Sequence, residues 1–596
     1  MPSEGIVDPT LSDPTPSDAS DISSIPLNIA IVGGGISGLY SALLLHREGH
    51  CVRIFEGTDR VGGRVYTHYF TTQDDQYFEA GAMRIPNSSF HHNTFKLIKY
   101  IQFFDIPEDT QVSLIKYALS APGNRTYING RHRDRPQIAA TVTPAAVAWQ
   151  VDDKYKNRTA EDLMREAIGG FLDELQNSSD FEKTFREIVD KFDNYSFRFY
   201  CSSVCGWPTN VIDFVETVLS QTNQFALSVP ELIMQNMDFD VKEWKTIEHG
   251  MSRLPLAMAF LVGYQNITFG ARVTSLQNTN NGRVTVTTVG YNGVLSADFD
   301  RVIMAVPPAA LKMIADRPRW SPAKEMAIRS IHFEALYKMG MRFKTRFWEQ
   351  VPPNSLGGQD TTDLPIRWIV YPSNGIGSTG PGVLLVYAWM TDARTWLPLT
   401  PIERRSLALH CIHEMYGGQI AQGKVIDVYD QLIETADAVW SESTATGDAM
   451  FLPGQFADRF DRAREPEGNI YFAGEHLSYH HTWITGAVES ALYTVREILG
   501  DPNLKPLDTI KIPTLPLPGT IHVVPRPVAD VEFQFYPDNA MFYGGISPVI
   551  GGPSRSPPPG SSTVPSFPLN MGGSAMHVLG AEMNKLKGTA VADVAK

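Results

Sequence analysis

The feature that most constrains the fold is a glycine cluster that lies between an apolar segment and a helical pattern. The segment LNIAIV is β-type, Gly33, Gly35 and Gly38 form G-x-G-x-x-G, and leucines then recur on one face of the following residues. CVRIFE predicts a second strand, so residues 27–57 have the length of a parallel βαβ unit. The sequence therefore predicts an α/β fold with a Rossmann-like domain.

This arrangement suits a bound dinucleotide. The first glycine permits a tight turn, the second lets the backbone approach a pyrophosphate, and the third lets helix and strand pack closely. The phosphates would lie over Ile36 and Ser37 at the helix N-terminus, where free N–H groups favour negative charge. Glu56 closes the second strand, where an acidic residue accepts hydrogen bonds from an adenosine ribose. Both NAD and FAD sites open in this way.

Two further segments decide between these cofactors. In DRVGGRVYT, Gly63 precedes Arg64, which can reach the same pyrophosphate; the segment GNIYFAGEHLSYHHTWITGAVESA carries Gly474 and Glu475 between a strand and a helix. This pairing resembles the flavin-dependent amine oxidase superfamily, which joins two halves of an FAD domain across a long insertion. The resemblance implies bound FAD.

The same resemblance assigns contacts along the cofactor. It implies that Glu475 lies along the ribityl and pyrophosphate portion, and that Ile484 and Thr485 bring backbone to the isoalloxazine. Relatives with covalently attached flavin use a cysteine in the preceding loop. The matching segment, 446–451, contains none, so we expect non-covalent FAD.

Arg84 lies in the small, apolar stretch EAGAMRIP and is either an exposed turn residue or a buried cation. A buried guanidinium needs a partner, and its planar fork pairs bidentately with a carboxylate. The stretch resembles the G-x-M-R-[LIF]-P motif of L-amino-acid oxidases. That resemblance implies that Gly81, Ala82, Met83 and Arg84 border the flavin and that Arg84 binds the substrate carboxylate.

Further roles rest on the same resemblance, which spans roughly residues 28–500. Tyr371, in TTDLPIRWIVYP, would donate its hydroxyl to the substrate carboxylate, Lys338 would hold a water near flavin N5, and Trp483 would wall the pocket. Where animal relatives have an active-site histidine, the chain has Met234, so no general base is supplied there. A neutral amine can transfer its Cα hydride to flavin N5 without one.

The preferred substrate side chain depends on two acidic residues. Glu334 replaces an arginine of the animal relatives. Asp448 lies in the loop whose counterpart in those relatives contacts the substrate side chain, although Met450 is equally eligible for that position. Acidic groups would favour Lys or Arg, whereas Met234 and Trp483 favour Leu, Met or Phe. We expect broad L-selective specificity that includes large apolar side chains.

Composition excludes several other functions. A net charge of −14 over 596 residues argues against nucleic-acid partners, no apolar run is long enough to span a bilayer, and four cysteines are too few for a disulfide framework. Cys201 and Cys205 lack a second ligand pair, so we expect no metal site. Residues 1–26 are rich in Ser, Asp and Pro without a signal peptide, which makes the cytoplasm the default expectation and a microbial member, such as a fungal one, the expected source.

The predicted architecture is a Rossmann-like FAD domain with a mixed-sheet substrate domain and a helical insertion. The predicted divisions are a disordered leader (1–26), a discontinuous FAD domain (27–100, 245–330 and 455–500), a substrate domain (101–159 and 331–454), a helical domain (160–244) and a Pro-rich extension (501–596).

The predicted reaction converts an L-amino acid and O2 into a 2-oxo acid, ammonia and H2O2. An amine or polyamine oxidase and an L-amino-acid 2-monooxygenase, which yields an amide and CO2, are the alternatives, with a non-catalytic flavin-fold scaffold as a more remote one. The sequence does not decide between a monomer and a homodimer or higher homo-oligomer.

Overall fold

A computed structural model describes residues 25–508, apart from 74, 132–135, 291–292, 422 and 441–445. Most of the expected leader and nearly all of the Pro-rich extension therefore lie outside the described residues. The fold is mixed α/β, as predicted. Within this part of the chain, no helix is both long and apolar enough to cross a membrane.

The glycine cluster lies at the carboxyl end of the central strand of a parallel sheet. This sheet has five strands, in the order Ile470–Phe472, Arg301–Met304, Asn28–Val32, Cys51–Phe55 and Ile267–Thr268. Ile29, Ala30 and Ile31 are fully buried because the sheet is covered on both faces. The loops that follow the first three of these strands converge at one edge, which is where open α/β sheets bind ligands.

A six-stranded mixed sheet forms a second layer. Its strands follow the order Leu432–Val439, Leu336–Phe343, Gly382–Trp389, Trp368–Val370, Gln359–Thr362 and Thr126–Tyr127. Lys338 lies directly opposite Tyr387 in the antiparallel pair of the second and third strands, so both side chains lie on the same face.

Several smaller sheets accompany the two large ones. One is an antiparallel meander of Ala271–Asn278, Val284–Gly290 and Gly293–Phe299, and another orders Ile85–Pro86, Trp244–Ile247 and Leu114–Tyr117. The two-stranded sheets are Thr67–Tyr69 with Tyr77–Glu79, and Ile420–Ala421 with Lys424–Val425. The short strand Ile85–Pro86 follows Arg84 directly and fixes the backbone of the EAGAMRIP stretch in this layer.

Helices cover the sheets and fill the predicted helical region. They are Ile36–Arg47, His92–Gln102, Ala160–Gln176, Phe181–Phe192, Phe197–Ser203, Thr209–Leu219, Val229–Phe239, Arg253–Val262, Pro308–Lys312, Pro322–Ser330, Met390–Arg394, Pro401–Tyr416, Val428–Gln431, Asp461–Arg464 and Ile484–Leu499. Thr159 starts the first long helix of the region 160–244 through a reciprocal capping box with Asp162. The predicted domain boundaries stay predictions.

Candidate active site

One cavity of about 510 Å³ connects the glycine cluster with the EAGAMRIP stretch. Gly33 and Gly35 line it on the side of the parallel sheet, and Arg84, Tyr387 and Trp389 line it on the side of the mixed sheet. A ligand bound along this cavity would therefore touch both layers.

The three glycines of the cluster differ in what surrounds them. Gly33 has φ +107°, a conformation that side-chain-bearing residues rarely adopt. A Cβ on Gly38 would overlap the carbonyl oxygen of Gly33, so this glycine permits close packing of helix on strand. A Cβ on Gly35 would meet nothing within 4 Å and would stand in the cavity. This open cradle at a helix N-terminus fits a pyrophosphate.

Glu56 is buried and held in place at the edge of the cradle. Its Oε2 accepts a hydrogen bond from the Gly34 N–H at 2.7 Å, and its Oε1 accepts from the backbone N–H of Thr58 at 2.8 Å and from the Thr58 hydroxyl at 2.7 Å. The carboxylate therefore lies beside the turn of the glycine cluster, where the expected ribose contact requires it.

Arg64 and Glu475 form an ion pair across the cavity wall. The Arg64 guanidinium donates to Glu475 Oε1 and to the carbonyl oxygen of Gly447, each at 2.8 Å. Glu475 Oε2 also accepts from the Thr482 N–H at 3.0 Å. Burial alone would raise the pKa of Glu475, but Arg64 and the surrounding donors hold it below its ordinary value. The pair joins the two sequence segments that predict the cofactor site.

Arg84 is a buried cation without a carboxylate partner among the described residues. Its side chain is only 6% exposed, and its one hydrogen bond, to Gln359 Oε1, is 3.5 Å long. The guanidinium instead lies 5.1 Å from the ring centre of Phe239, 5.6 Å from that of Trp244 and 5.9 Å from that of Tyr117. An aromatic wall of this kind attracts a cation, but it leaves most of the guanidinium donors without a hydrogen-bond acceptor among the described residues.

Lys338, Tyr387 and Asp448 also line the cavity. Lys338 donates to the carbonyl oxygens of Glu79 and Gly81, and burial, with Arg84 nearby, lowers its pKa to about 7. Its ammonium lies 4.6 Å from the Tyr387 ring centre. Burial raises the pKa of Tyr387, so its hydroxyl is a neutral donor.

Three of the predicted substrate contacts do not line the large cavity. Tyr371 is fully buried outside the large cavity, and its hydroxyl donates to Asp360 Oδ2 at 2.6 Å and contacts the Tyr416 hydroxyl. Trp368 and Val370 share a face with Tyr387, and strand alternation turns the next residue, Tyr371, away from it.

Met234 and Glu334 are the other two predicted substrate contacts that do not line the large cavity. Met234 is buried in the core between the helices. Glu334 is buried against His332, whose Nε2 lies 2.5 Å from the carboxylate, and an arginine at the surface, Arg394, approaches it from the other side. Neither side chain is positioned to contact a ligand in this cavity.

Most other predicted residues do line the cavity. They are Gly33, Gly35, Ile36, Ser37, Glu56, Gly63, Arg64, Gly81, Ala82, Met83, Arg84, Lys338, Asp448, Gly474, Glu475, Trp483 and Ile484. Gly38 acts in packing, and Thr485 is buried just behind the wall, with its hydroxyl 3.4 Å from the carbonyl oxygen of Phe90.

Sequence reasoning missed several cavity residues. Tyr387 and Trp389 lie in the strand segment PGVLLVYAWM, and Phe239 ends a helix of the region 160–244. The strand Gly382–Trp389 is apolar and buried throughout, so its sequence shows no alternation that would mark the face toward the cavity. Residues two apart lie on one face, which places Tyr387 and Trp389 together. His476 is a further such residue, and burial lowers its pKa to about 3, so its imidazole is neutral.

A second buried polar cluster lies behind the cavity wall. Asp238 Oδ1 lies 3.0 Å from His91 Nε2 and 3.1 Å from His480 Nδ1, and the three side chains could group around a metal ion. Although burial opposes it, Asp238 raises the pKa of His480 to about 9. Because an imidazolium already compensates the carboxylate, the cluster is balanced without a metal. His91 packs edge-on against Trp483, so the cluster supports the cavity wall.

Comparison with known proteins identifies the class. The chain belongs to the family of flavin containing amine oxidoreductases, which matches residues 36–499. A Bacillus subtilis (strain 168) protein named "Putative L-amino-acid oxidase YobN" is 30% identical over 482 residues, covering 79% of this chain and 95% of that protein. An L-amino-acid oxidase of Echis ocellatus is 28% identical over 480 residues, covering 80% of this chain and 89% of its own.

Solved structures show the same fold. A putrescine oxidase bound to putrescine aligns with a TM-score of 0.61 at 17% identity, covering 80% of this chain and 99% of its own. The cyclohexylamine oxidase of Brevibacterium oxydans IH-35A aligns with a TM-score of 0.58 at 16% identity, with the same coverage. The protein is a flavin-dependent amine oxidoreductase.

Proposed function

We propose that the protein is an FAD-dependent L-amino-acid oxidase, which converts L-amino acids and O2 into 2-oxo acids, ammonia and H2O2. The observation that carries this proposal is the buried guanidinium of Arg84, which has no carboxylate partner among the described residues and lies in the cavity that also contains the glycine cluster. A buried, unpaired arginine is costly, and a substrate carboxylate would compensate it. An oxidase of simple amines has no such carboxylate to bind.

Residues of both segments would hold FAD. Gly35 leaves room for the pyrophosphate at the N-terminus of helix Ile36–Arg47, Glu56 would accept from the ribose, and Arg64 would neutralise phosphate charge. None of the cavity residues in the described chain is a cysteine, which supports non-covalent binding. When bound, the flavin supplies the oxidising power for the amine and passes electrons to O2.

Two groups would orient the substrate through its carboxylate. The Arg84 guanidinium would donate two parallel hydrogen bonds to the carboxylate, and the hydroxyl of Tyr387, rather than that of Tyr371, would donate a third. Two fixed points at one end of a small substrate restrict how its Cα–H can point, which is the positioning effect that such an oxidation needs. Lys338, with its ammonium held by two backbone carbonyls, would place a water in the same region.

The walls near Arg84 favour large apolar side chains. Phe239, Trp389 and Trp483 line this part of the cavity, whereas Glu334 is turned to His332. Burying an apolar side chain contributes on the order of 25 cal/mol per Å². We therefore propose broad L-selective specificity that includes Leu, Met and Phe.

The test is the product balance of the purified, yellow protein with a panel of L-amino acids in air. The proposal predicts equal amounts of H2O2 and ammonia. In a parallel sample that contains catalase, which keeps peroxide from decarboxylating the product, it predicts a 2-oxo acid and no CO2. CO2 with an amide product would identify a 2-monooxygenase, and turnover of putrescine but of no amino acid would identify an amine oxidase. Acid precipitation of the same sample should release all flavin into the supernatant, and flavin in the pellet would contradict non-covalent binding.

A further inference from the structure

Asp448 is a carboxyl group that lines the cavity without a fixed partner for one of its oxygens. It follows Gly447, whose carbonyl oxygen accepts from Arg64, and it precedes Ala449, whose N–H donates to Glu475 at 3.3 Å. These contacts hold the backbone of the loop against the cavity wall. Within the described residues, Oδ1 of Asp448 has no hydrogen-bond partner. Such a carboxyl is available to a ligand.

The other carboxylates that line the cavity are already hydrogen-bonded, and the histidine that lines it is a poor base. Glu56 is held by Gly34 and Thr58, and Glu475 by Arg64 and backbone N–H groups. His476 is a neutral imidazole whose Nδ1 is buried without a described partner, and its lowered pKa makes it a poor base. Among the described residues that line the cavity, Asp448 is therefore the carboxylate that remains free to act on a substrate.

The surroundings of Asp448 make it a base near neutral pH. Burial raises its pKa to about 7, the carboxylates of Glu475 and Glu334 add to this effect, and Arg64 opposes it. Lys338 and Tyr387 also lie within its electrostatic range. A base works best when its pKa is close to the working pH.

An amino acid in neutral water carries an ammonium, and its nitrogen must lose a proton before the Cα–N bond can be oxidised. We propose that the Asp448 carboxylate binds the α-ammonium of the substrate and accepts one of its protons, an inference that rests on the proposed function. An N–H bond breaks, an O–H bond forms on Asp448, and the electron pair stays on nitrogen as the lone pair of the amine. Arg84 and Asp448 then match the two opposite charges of a zwitterionic amino acid.

The test is Asp448→Asn, which keeps the shape of the side chain and removes its basicity. Flavin reduction is followed anaerobically by stopped flow with L-Leu and with L-Lys between pH 6 and pH 10. In the wild type, reduction should accelerate with pH around a midpoint of about 7. The variant should be roughly 100-fold slower at pH 7 with both substrates, and should recover as the pH approaches the pKa of the free substrate ammonium.

Benzoate, which has a carboxylate but no ammonium, provides a binding measurement that is independent of turnover. Its affinity, read from the shift of the flavin spectrum, should be equal or higher in Asp448→Asn because a negative charge is removed. Asp193→Asn is the matched control: Asp193 is also buried with a pKa raised to about 6, but it does not line the cavity. It should keep the wild-type pH profile.

Three outcomes would overturn the inference. One is an unchanged pH profile with L-Leu in Asp448→Asn, and another is a loss confined to L-Lys, which would make Asp448 a reader of the side chain. The third needs no variant: a wild-type reduction rate without a pH midpoint near neutrality. If no L-amino acid reduces the wild-type flavin at any pH, the proposed function itself fails, which is a different result.

Discussion

Replacing Arg84 with Met should abolish most activity without destabilising the protein. The guanidinium makes one long hydrogen bond, 3.5 Å to Gln359, and no ion pair within the described chain. Met fills a similar volume against Phe239 and Trp244 and carries no charge. The three ring contacts that are lost contribute about 0.5–2 kcal/mol each, and they are offset because an uncompensated buried charge, which costs several kcal/mol, is removed. The free energy of unfolding should therefore change by about 1 kcal/mol or less in either direction.

The effect on catalysis should be much larger. Removing one partner of a desolvated, hydrogen-bonded charge pair costs about 2–5 kcal/mol. At 1.36 kcal/mol for each factor of ten, kcat/KM for L-Leu should fall by roughly 30-fold to several thousand-fold. Steady-state peroxide formation measures this loss, and chemical unfolding followed by fluorescence measures stability.

Arg125 provides the matched control, because it is also buried but has a carboxylate partner. It donates to the Tyr416 hydroxyl at 2.6 Å and lies 3.5 Å from Asp360, which is fully buried. Arg125→Met leaves that carboxyl without its cation and should cost about 3–5 kcal/mol of stability. The reasoning is refuted if Arg84→Met keeps kcat/KM within threefold of the wild type, or if it destabilises the protein as much as Arg125→Met does.

Three other predictions follow from the cavity and its support. Gly35→Val should give protein that is folded by circular dichroism but has no flavin absorbance. The φ of −74° at Gly35 suits any residue, and the new side chain would occupy only the space proposed for the pyrophosphate. Yellow protein would contradict the proposed cradle. Tyr387→Phe should lower kcat/KM by a factor that corresponds to about 1–3 kcal/mol, whereas Tyr371→Phe should lower the stability of the protein and leave kcat/KM nearly unchanged. The reverse pattern would support Tyr371 as the substrate contact. His480→Gln should lower Tm most at pH 6.5 and below, and the difference in Tm from the wild type should shrink as the pH rises to 9. The raised pKa of His480 in the folded protein, about 9, stabilises the wild type fully only below the pKa of 6.5 in the unfolded chain. A difference in Tm that does not change with pH would exclude an imidazolium at this position.

The cofactor half of the site could be predicted from sequence because its determinants are local. Gly33 and Gly35 lie in the turn between the strand Asn28–Val32 and the helix Ile36–Arg47, and Gly38 lies in the first turn of that helix. Such backbone requirements are written into consecutive residues. The same holds for Gly81 to Arg84, which reach the cavity as a short run.

The substrate half could be predicted only in part, because it depends on strand parity and on distant contacts. Tyr371 and Tyr387 lie in neighbouring segments of one sheet, and a similar motif does not reveal which face each presents. A shift of one residue reverses the face of a strand residue. Asp238 and His480 are far apart in the chain, so their ion pair has no local sequence pattern.

The most direct test of the central claim compares two substrates that differ only in the carboxylate. L-Leucine and 3-methylbutan-1-amine are mixed anaerobically with the yellow protein, and bleaching of the flavin absorbance is followed. If Arg84 exists to bind a substrate carboxylate, L-leucine should bleach the wild-type flavin at least 100-fold faster at equal concentration, and Arg84→Met should remove most of that difference. Equal bleaching by the two compounds in the wild type would contradict the account.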